Sequence, residues 1–283
     1  RSTWLRSGEG RISMVYPMSI VSTQRMKPLQ DLLESCMSVW YAHFAWRPAK
    51  LFDNVNRAIS IFVAGPSPAL ATYATGYQKW TSGTREILMP KLAYTLVPRN
   101  RAYFWCPKFA ETIETAILGR CLTRGIPLAN VMDDAGGCIF YRTTGGLYWK
   151  VFTDFAPAFR VNDRKGHSSR ETFFCVRHKK HVKSVVAALS SSLFWWWYTV
   201  STTLRDLNPS DIQSFPVPLA ALDDPRLMEL GNRYLEDIIA NSTTLVRNQA
   251  QTGRTETQSF EVRLSKPIID EIDRVLAEHY GLT

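Results

Sequence analysis

Short apolar runs alternate with polar or proline-bearing breaks along the chain, and the runs change character as it proceeds. GRISMVYPMSIV (10–21) is apolar, with β-branched and aromatic residues up to Pro17, which predicts a buried strand followed by a loop. RMKPLQDLLESCM (25–37) spaces Leu29, Leu32, Leu33 and Cys36 along one helix face, with Pro28 in the first turn. VWYAHFA (39–45) and AISIFVA (58–64) predict two more strands, separated by the polar loop WRPAKLFDNVNR. Strand, helix, strand, loop, strand is the closing part of an α/β sheet. GPSP (65–68) punctuates its end, and a helix is predicted around REILMPKLAYTLV.

From about 99 to 218 the pattern is irregular. CIFYR and LYWKVF predict short strands around a Gly145–Gly146 turn, ETFFCV predicts another, and a helix from about His181 runs into LSSSLFWWWYTV (189–200). Beyond Asp223, PRLMELGNRYLEDIIANSTTLV and SKPIIDEIDRVLAEHY repeat leucine and isoleucine at helical intervals. Three regions are therefore expected: 1–98, the end of an α/β sheet; 99–218, a mixed α+β domain; and 219–283, a helical tail.

Successive helical residues turn by about 100°, so Trp195, Trp196 and Trp197 cannot share one face. The expected core stripe is Leu189, Leu193, Trp196, Trp197 and Val200. That leaves Trp195 opposite, and Ser190–Ser192 as a slim shoulder for a neighbouring element.

An apolar fraction of 45% over 283 residues is enough for a real core. The apolar run at the tryptophans falls far short of the roughly 20 residues that span a bilayer, and no signal-peptide pattern opens the chain, so a cytoplasmic location is expected. The five cysteines are scattered and form no CxxC pair, which predicts reduced thiols. Cys175, His178 and His181 have metal-like spacing but no fourth ligand; they read as a basic surface turn, and Asp133–Asp134 before Ala-Gly-Gly as another turn. His43 and His279 lie on apolar or helical patterns with no nucleophile motif such as GxSxG.

Charge is uneven. Residues 1–150 carry 18 Lys and Arg against 9 Asp and Glu, 151–218 carry 9 against 5, and 219–283 carry 7 against 11. Between Arg160 and Lys183 eight basic residues face only Asp163 and Glu171. Basic residues interleaved with aromatics are the footprint of a nucleic-acid binder, because cations placed on phosphates release condensed counterions.

GRISMVYPMSIV, RPAKLFDNVNRAISIFV, SSSLFWWWYTVSTTLRDLNPSDIQSFPVP and SKPIIDEIDRVLAEHYGL, in that order, resemble the second half of adenine-specific DNA methyltransferases of the type IIG restriction–modification and phage-defence kind. The resemblance covers most of the chain and is thin in the middle, where such enzymes read their targets. It implies the last strands of a class I, Rossmann-like methyltransferase sheet, then a target-recognition domain and a helical tail. Phe52, in KLFDN, is implied to pack on an adenine flipped out of the duplex, since an extruded base needs a replacement stacking partner. Read from the residues alone, Phe52 is instead a core phenylalanine anchoring the hairpin.

Arg47, Lys50 and Arg57 would flank that pocket at the phosphates, while Arg164, Lys165, Arg170, Lys179, Lys180 and Arg205 would contact DNA elsewhere. Arg205 and Asn208 could equally cap or brace the turn before Pro209. The implied partner is duplex DNA and the implied methyl donor of the full enzyme is S-adenosylmethionine. Two family features are missing: a glycine loop after a first strand, and an Asn/Asp-Pro-Pro-aromatic tetrapeptide. Pro-Pro does not occur, GEG (8–10) precedes the wrong strand, and Gly136–Gly137 lies in the mixed domain. The chain opens at Arg1 and closes at GLT, so the expectation is a piece of a longer enzyme whose N-terminal catalytic half lies elsewhere, on the same chain or a separate subunit. The alternatives are a stand-alone DNA-specificity subunit and a tryptophan-rich carbohydrate- or protein-binding module.

Overall fold

The computed structural model describes residues 10–100, 103–144, 149–251 and 253–282. The Gly145–Gly146 turn and Gly8–Glu9 lie outside them. The chain is mixed α/β and forms two compact units, residues 1–118 with 198–205, and 119–197 with 206–283.

The first unit holds β1 (Ile12–Pro17), α1 (Ser19–Ser22), α2 (Lys27–Glu34), β2 (Ser38–Phe44), β3 (Ile59–Gly65), β4 (Thr72–Gln78), α3 (Arg85–Leu88) and β5 (Thr95–Leu96). Its sheet runs β1-β3-β2-β4-β5. β3 returns antiparallel between β1 and β2, and β4 lies parallel to β2. The strand, helix, strand, loop, strand order is as the pattern predicts. Four details differ. β1 is an edge strand with alternating burial, and a short helix follows it where a loop was expected. β4 has no counterpart in the hydrophobic pattern, because its buried positions are Thr72, Ala74, Thr75 and Gly76 and give no apolar run. The helix expected over REILMPKLAYTLV stops at Leu88, since Pro90 lacks the amide proton a further turn needs. Finally, α2 turns Gln30 and Leu33 inward while Leu32 and Cys36 are exposed.

Gln30 is buried because it is satisfied: its amide donates to the Ile20 carbonyl at 2.6 Å and its oxygen accepts from Arg99. Arg99 also donates to Glu34 at 2.9 Å and to the Trp105 carbonyl at 2.7 Å. Three elements are thereby tied around one guanidinium, a geometry that pays for its burial with directed hydrogen bonds.

The second unit contains α4 (Ile113–Arg124) from Gly119 onward, β6 (Ile126–Pro127), β7 (Met132–Arg142), β8 (Phe152–Thr153), β9 (Phe159–Val161), β10 (Arg164–Lys165), β11 (Glu171–Val176) and α5 (Val182–Leu189). There follow α6 (Ser192–Ser201), of which 192–197 belong here, α7 (Pro209–Gln213), β12 (Pro216–Val217), α8 (Leu219–Leu222), α9 (Pro225–Ala240), β13 (Ser242–Gln249), β14 (Gly253–Phe260) and α10 (Lys266–Tyr280). Its strands make a β11-β7-β8 sheet, a β10-β9-β14-β13 sheet and a β6-β12 pair.

The tail from 219 is not an independent helical appendage. STTLV leaves the helix at Asn241 and, with the following segment, builds the β13–β14 hairpin, whose second strand pairs with β9. β-Branched Thr243, Thr244 and Val246 favour that choice.

One continuous helix into the tryptophans is also corrected. Ser190 ends α5, and the Ser191 hydroxyl accepts from the Phe194 amide at 3.0 Å while Asp273 accepts from the Ser192 amide at 2.8 Å, so a new helix is capped there. Of the expected stripe Leu189, Trp197 and Val200 are buried, joined by Phe194, Tyr198 and Ser201; Leu193 and Trp196 are half-buried, and Trp195 stacks on Trp149 at 5.6 Å. Ser190 and Ser191 are fully buried, as a slim shoulder requires. Cys138 and Cys175, opposite each other on β7 and β11, form a disulfide, so the expectation of reduced thiols fails for that pair.

In α5 every residue except Lys183 is buried, and α9 lies against it at Gly231, where an added Cβ would sit 2.1 Å from the Lys183 carbonyl oxygen. Gly119, exposed in α4, has nothing within 4 Å of that position. Gly231→Ala is therefore expected to lower unfolding free energy by about 1–3 kcal/mol through overpacking, whereas Gly119→Ala raises it by about 0.5–1 kcal/mol through helix propensity. Urea denaturation of the two variants checks the contrast.

Candidate nucleic-acid interface

In the first unit, the loop joining β2 to β3 is pinned from beneath. Arg85 donates to the carbonyls of Lys50 at 3.2 Å and Leu51 at 2.8 Å, and its guanidinium lies 5.4 Å from the Trp80 ring. Leu51 enters a core of Phe44, Ile59, Trp80 and Leu88. Its neighbour Phe52 points the other way and is 43% exposed; Asn54 takes a left-handed conformation (φ 62°) just beyond it. The core position that the sequence offers to Phe52 is thus taken by Leu51. Arg47, Lys50 and Arg57 are all exposed on the same loop, with the Arg47 guanidinium 4.2 Å above the Trp46 ring. An exposed aromatic among three loop cations, on an anchored base, can stack on a base and meet its flanking phosphates.

The second unit carries a groove of about 1170 Å³ floored by one face of the β10-β9-β14-β13 sheet. The alternation of strand residues puts Leu245 and Arg247 of β13, Thr255, Thr257 and Ser259 of β14, and Phe159 and Val161 of β9 on that face. Arg142, at the end of β7, and His167 and Arg170, before β11, form its walls. Among the described residues no carboxylate lines it. The sheet's other face carries Arg160, Arg254 and Glu256, and there the charges are matched: Arg254 pairs with Asp163 at 2.6 Å and Glu256 at 2.5 Å, and Arg160 stands opposite Glu256.

A smaller hollow of about 200 Å³ shares Arg142, Phe159 and Thr257 with the groove and reaches Phe140, Trp149 and Lys150. Burial pushes Lys150 down to about 8, partly offset by Asp206 and Asp211.

Of the second-unit residues expected to meet DNA, Arg170 lines the groove, and Arg164 lies opposite Val161 on the groove's face. Lys165 falls on the other face, opposite Arg160. Lys179 and Lys180 are exposed but outside the groove lining; Lys180 is paired with Asp223 at 2.6 Å. Arg205, exposed, belongs to the first unit. Asn208 takes the capping alternative, with its backbone amide donating to Asp211 at 2.8 Å at the start of α7. Arg142, Arg247 and the hairpin were missed. Their signal was two eight-residue β-prone segments around QAQTG, masked by helical leucines on either side.

The spacing Cys175, His178, His181 is used otherwise. Cys175 is in the disulfide, and His181 is hydrogen-bonded to Asp223 at 3.0 Å. Among the described residues no group of three His, Cys, Asp or Glu could hold a metal ion. Asp133 and Asp134 lie where β7 loops out of register, and the Asp133 carboxylate accepts from the Ala135 amide at 3.1 Å. His43 is fully buried, bonded to Ser60 at 2.9 Å, and burial holds it well below its usual range. His279 is hydrogen-bonded to Asp224 at 2.9 Å.

In the first unit an added Cβ would sit 3.0 Å from the Arg11 side chain at Gly65 and 2.8 Å from Ala110 at Gly76, while Gly83 stands on an exposed turn. No protein-family model matches the chain, and no curated protein matches it. No helix among the described residues is long and apolar enough to cross a membrane.

Two expectations follow. Leu51→Ala should cost about 2–5 kcal/mol as a core truncation and Phe52→Ala under about 0.5 kcal/mol as a surface change, read by thermal or urea unfolding. Lys150 loses stability by charging in the fold: the cost is fully present below pH 8 and is relieved as pH rises from 8 towards the unfolded value of 10.5. The stability gained by Lys150→Met should accordingly shrink across that window, measured as the difference in melting temperature from wild type.

Proposed function

We propose that the chain is the target-recognition portion of a site-specific adenine-N6 DNA methyltransferase, acting in the cytoplasm with duplex DNA and with a catalytic half that binds S-adenosylmethionine. The observation that carries the reading is the basic groove of the second unit, a hollow of about 1170 Å³ lined by Arg142, Arg170 and Arg247 and by no carboxylate, with Glu171 opposite Arg142 at its border. Phosphate contact is the use such a surface has, because each cation placed there releases counterions. The loop of Phe52 supports the base-handling part: an anchored turn holds an aromatic side chain outward, beside Arg47, Lys50 and Arg57. β1 supports the α/β part, since it lies on the sheet edge, where preceding strands of a Rossmann-like sheet would add.

In this reading the chain's residues orient and select. Arg142 and Arg170 hold phosphates, the groove floor meets base edges, and Phe52 stacks on the extruded adenine so that its amino group is presented to the catalytic half. The lack of a Pro-Pro tetrapeptide in the sequence favours a second reading for the chain by itself, a DNA-specificity subunit without activity of its own.

Binding of the chain to duplex DNA should weaken steeply with salt, and Arg142→Ala or Arg170→Ala should each flatten the log–log salt slope by about one. Salt-independent binding, or none, sinks both readings. With a tetrapeptide-bearing half supplied, labelled methyl should appear on adenine and Phe52→Ala should slow its transfer more than it weakens DNA binding. Methylation that never appears with such halves leaves the specificity subunit.

A further inference from the structure

We propose that the β13–β14 hairpin is the base-reading element of the groove, with Arg247 hydrogen-bonding a guanine and Leu245 packing on a thymine methyl group nearby. The inference rests on the DNA-recognition reading and names which side chains within the groove carry sequence information.

β13 is the outer strand of a four-stranded sheet, so the hairpin is paired with β9 along β14 and open along β13. Strands of a sheet can read base edges from a DNA groove. The groove face presents Thr243, Leu245 and Arg247 from β13, opposite Ser259, Thr257 and Thr255 from β14. Hydroxyls, one aliphatic side chain and one guanidinium make an unusual sheet face. Thr255 is its one buried member among the six, and Leu245 is left 42% exposed. Such a face is unexplained as packing and matches the major-groove edge of base pairs, which offers donors, acceptors and the thymine methyl.

Arg247 is distinguished from the hairpin's other arginine. Arg254 is held by two carboxylates, Asp163 and Glu256. Arg247 is exposed, and among the described residues it has no ion pair. Its backbone is fixed by the neighbouring strand, where the Thr255 hydroxyl donates to the Arg247 carbonyl at 3.1 Å, so the guanidinium projects from a positioned strand. A guanidinium in that state can take the bidentate contact to guanine O6 and N7. Residues two apart on a strand are separated by about 6.6 Å, close to two base-pair steps of roughly 3.4 Å. Leu245 and Arg247 therefore address positions near each other in one site. Arg142 and Arg170, brought together by the β7–β11 pairing, stand side by side on the groove wall, where they are placed for the DNA backbone.

The test is selection from a random duplex pool with the 283-residue chain and with Arg247→Ala, Leu245→Ala and Arg254→Ala, each shown by thermal melting to fold as wild type does. Wild type should enrich one motif. Arg247→Ala should lose preference at one guanine by roughly 5- to 150-fold, Leu245→Ala should relax one thymine within about three base pairs of it, and Arg254→Ala should keep the motif. Non-specific affinity should persist in all three. A wild-type pool bound without any enriched motif, a motif that survives Arg247→Ala and Leu245→Ala unchanged, or one relaxed by Arg254→Ala instead, overturns the hairpin's role and leaves DNA binding standing. Failure of the wild type to bind DNA at all removes the recognition reading and the hairpin's role with it.

Discussion

The second unit depends on a helix with no side turned to water. In α5 only Lys183 escapes burial, so the unit must cover an apolar rod of eight residues all round. The β7–β8 strands do so from one direction, and α8, α9 and α10 from others. Three of these come from the last quarter of the chain, so the C-terminal segment must return to the domain it follows. The closest approach is at Gly231 on α9, where the absence of a side chain lets two helix backbones meet.

That return has a by-product. Between α9 and α10, both fixed against the core, the chain has only 25 residues, 241–265, in which to travel out and back. A hairpin is an economical path, and its second strand finds β9 as a neighbour. Charge then sorts by face. On the sheet's outer surface Asp163 and Glu256 neutralise Arg254, and at the groove's border Glu171 stands opposite Arg142. The inner surface keeps Arg247 and, facing it, Arg142 and Arg170. The acidic balance of 219–283 is therefore misleading as an average, because the hairpin within it holds Arg247 and Arg254 against Glu256 alone.

Much of the first unit was legible because its strands are continuous apolar runs: β2 and β3 stand where VWYAHFA and AISIFVA put them, and Pro28 opens α2. β4 was not, since its buried face is made of threonine, alanine and glycine. In α2 the leucine spacing was right for Leu33 and wrong for Leu32, because a buried guanidinium network recruits Gln30 and no periodicity in hydrophobicity records that. The loop cations and Phe52 were found through resemblance; that Phe52 faces outward follows from Leu51 filling the core beside it, a choice between adjacent apolar residues that spacing leaves open. In the second unit the basic run from 160 to 183 was visible, yet only some of it reaches the groove. Strand alternation sends Arg164 to one face and Lys165 to the other, and long-range pairing brings in Arg142 and Arg247 from either side in sequence.

The groove face of the hairpin shares no buried apolar side chain with α5. Thr243, Leu245 and Arg247 are all exposed, and the register that holds them is made by backbone pairing with β14. Exchange of side chains at these alternate positions leaves the pairing and the core untouched. Under the recognition reading, a lineage could change the site it reads by single substitutions here with folding stability nearly constant. Drift in specificity would then be neutral for the fold, and selection could act on target choice alone.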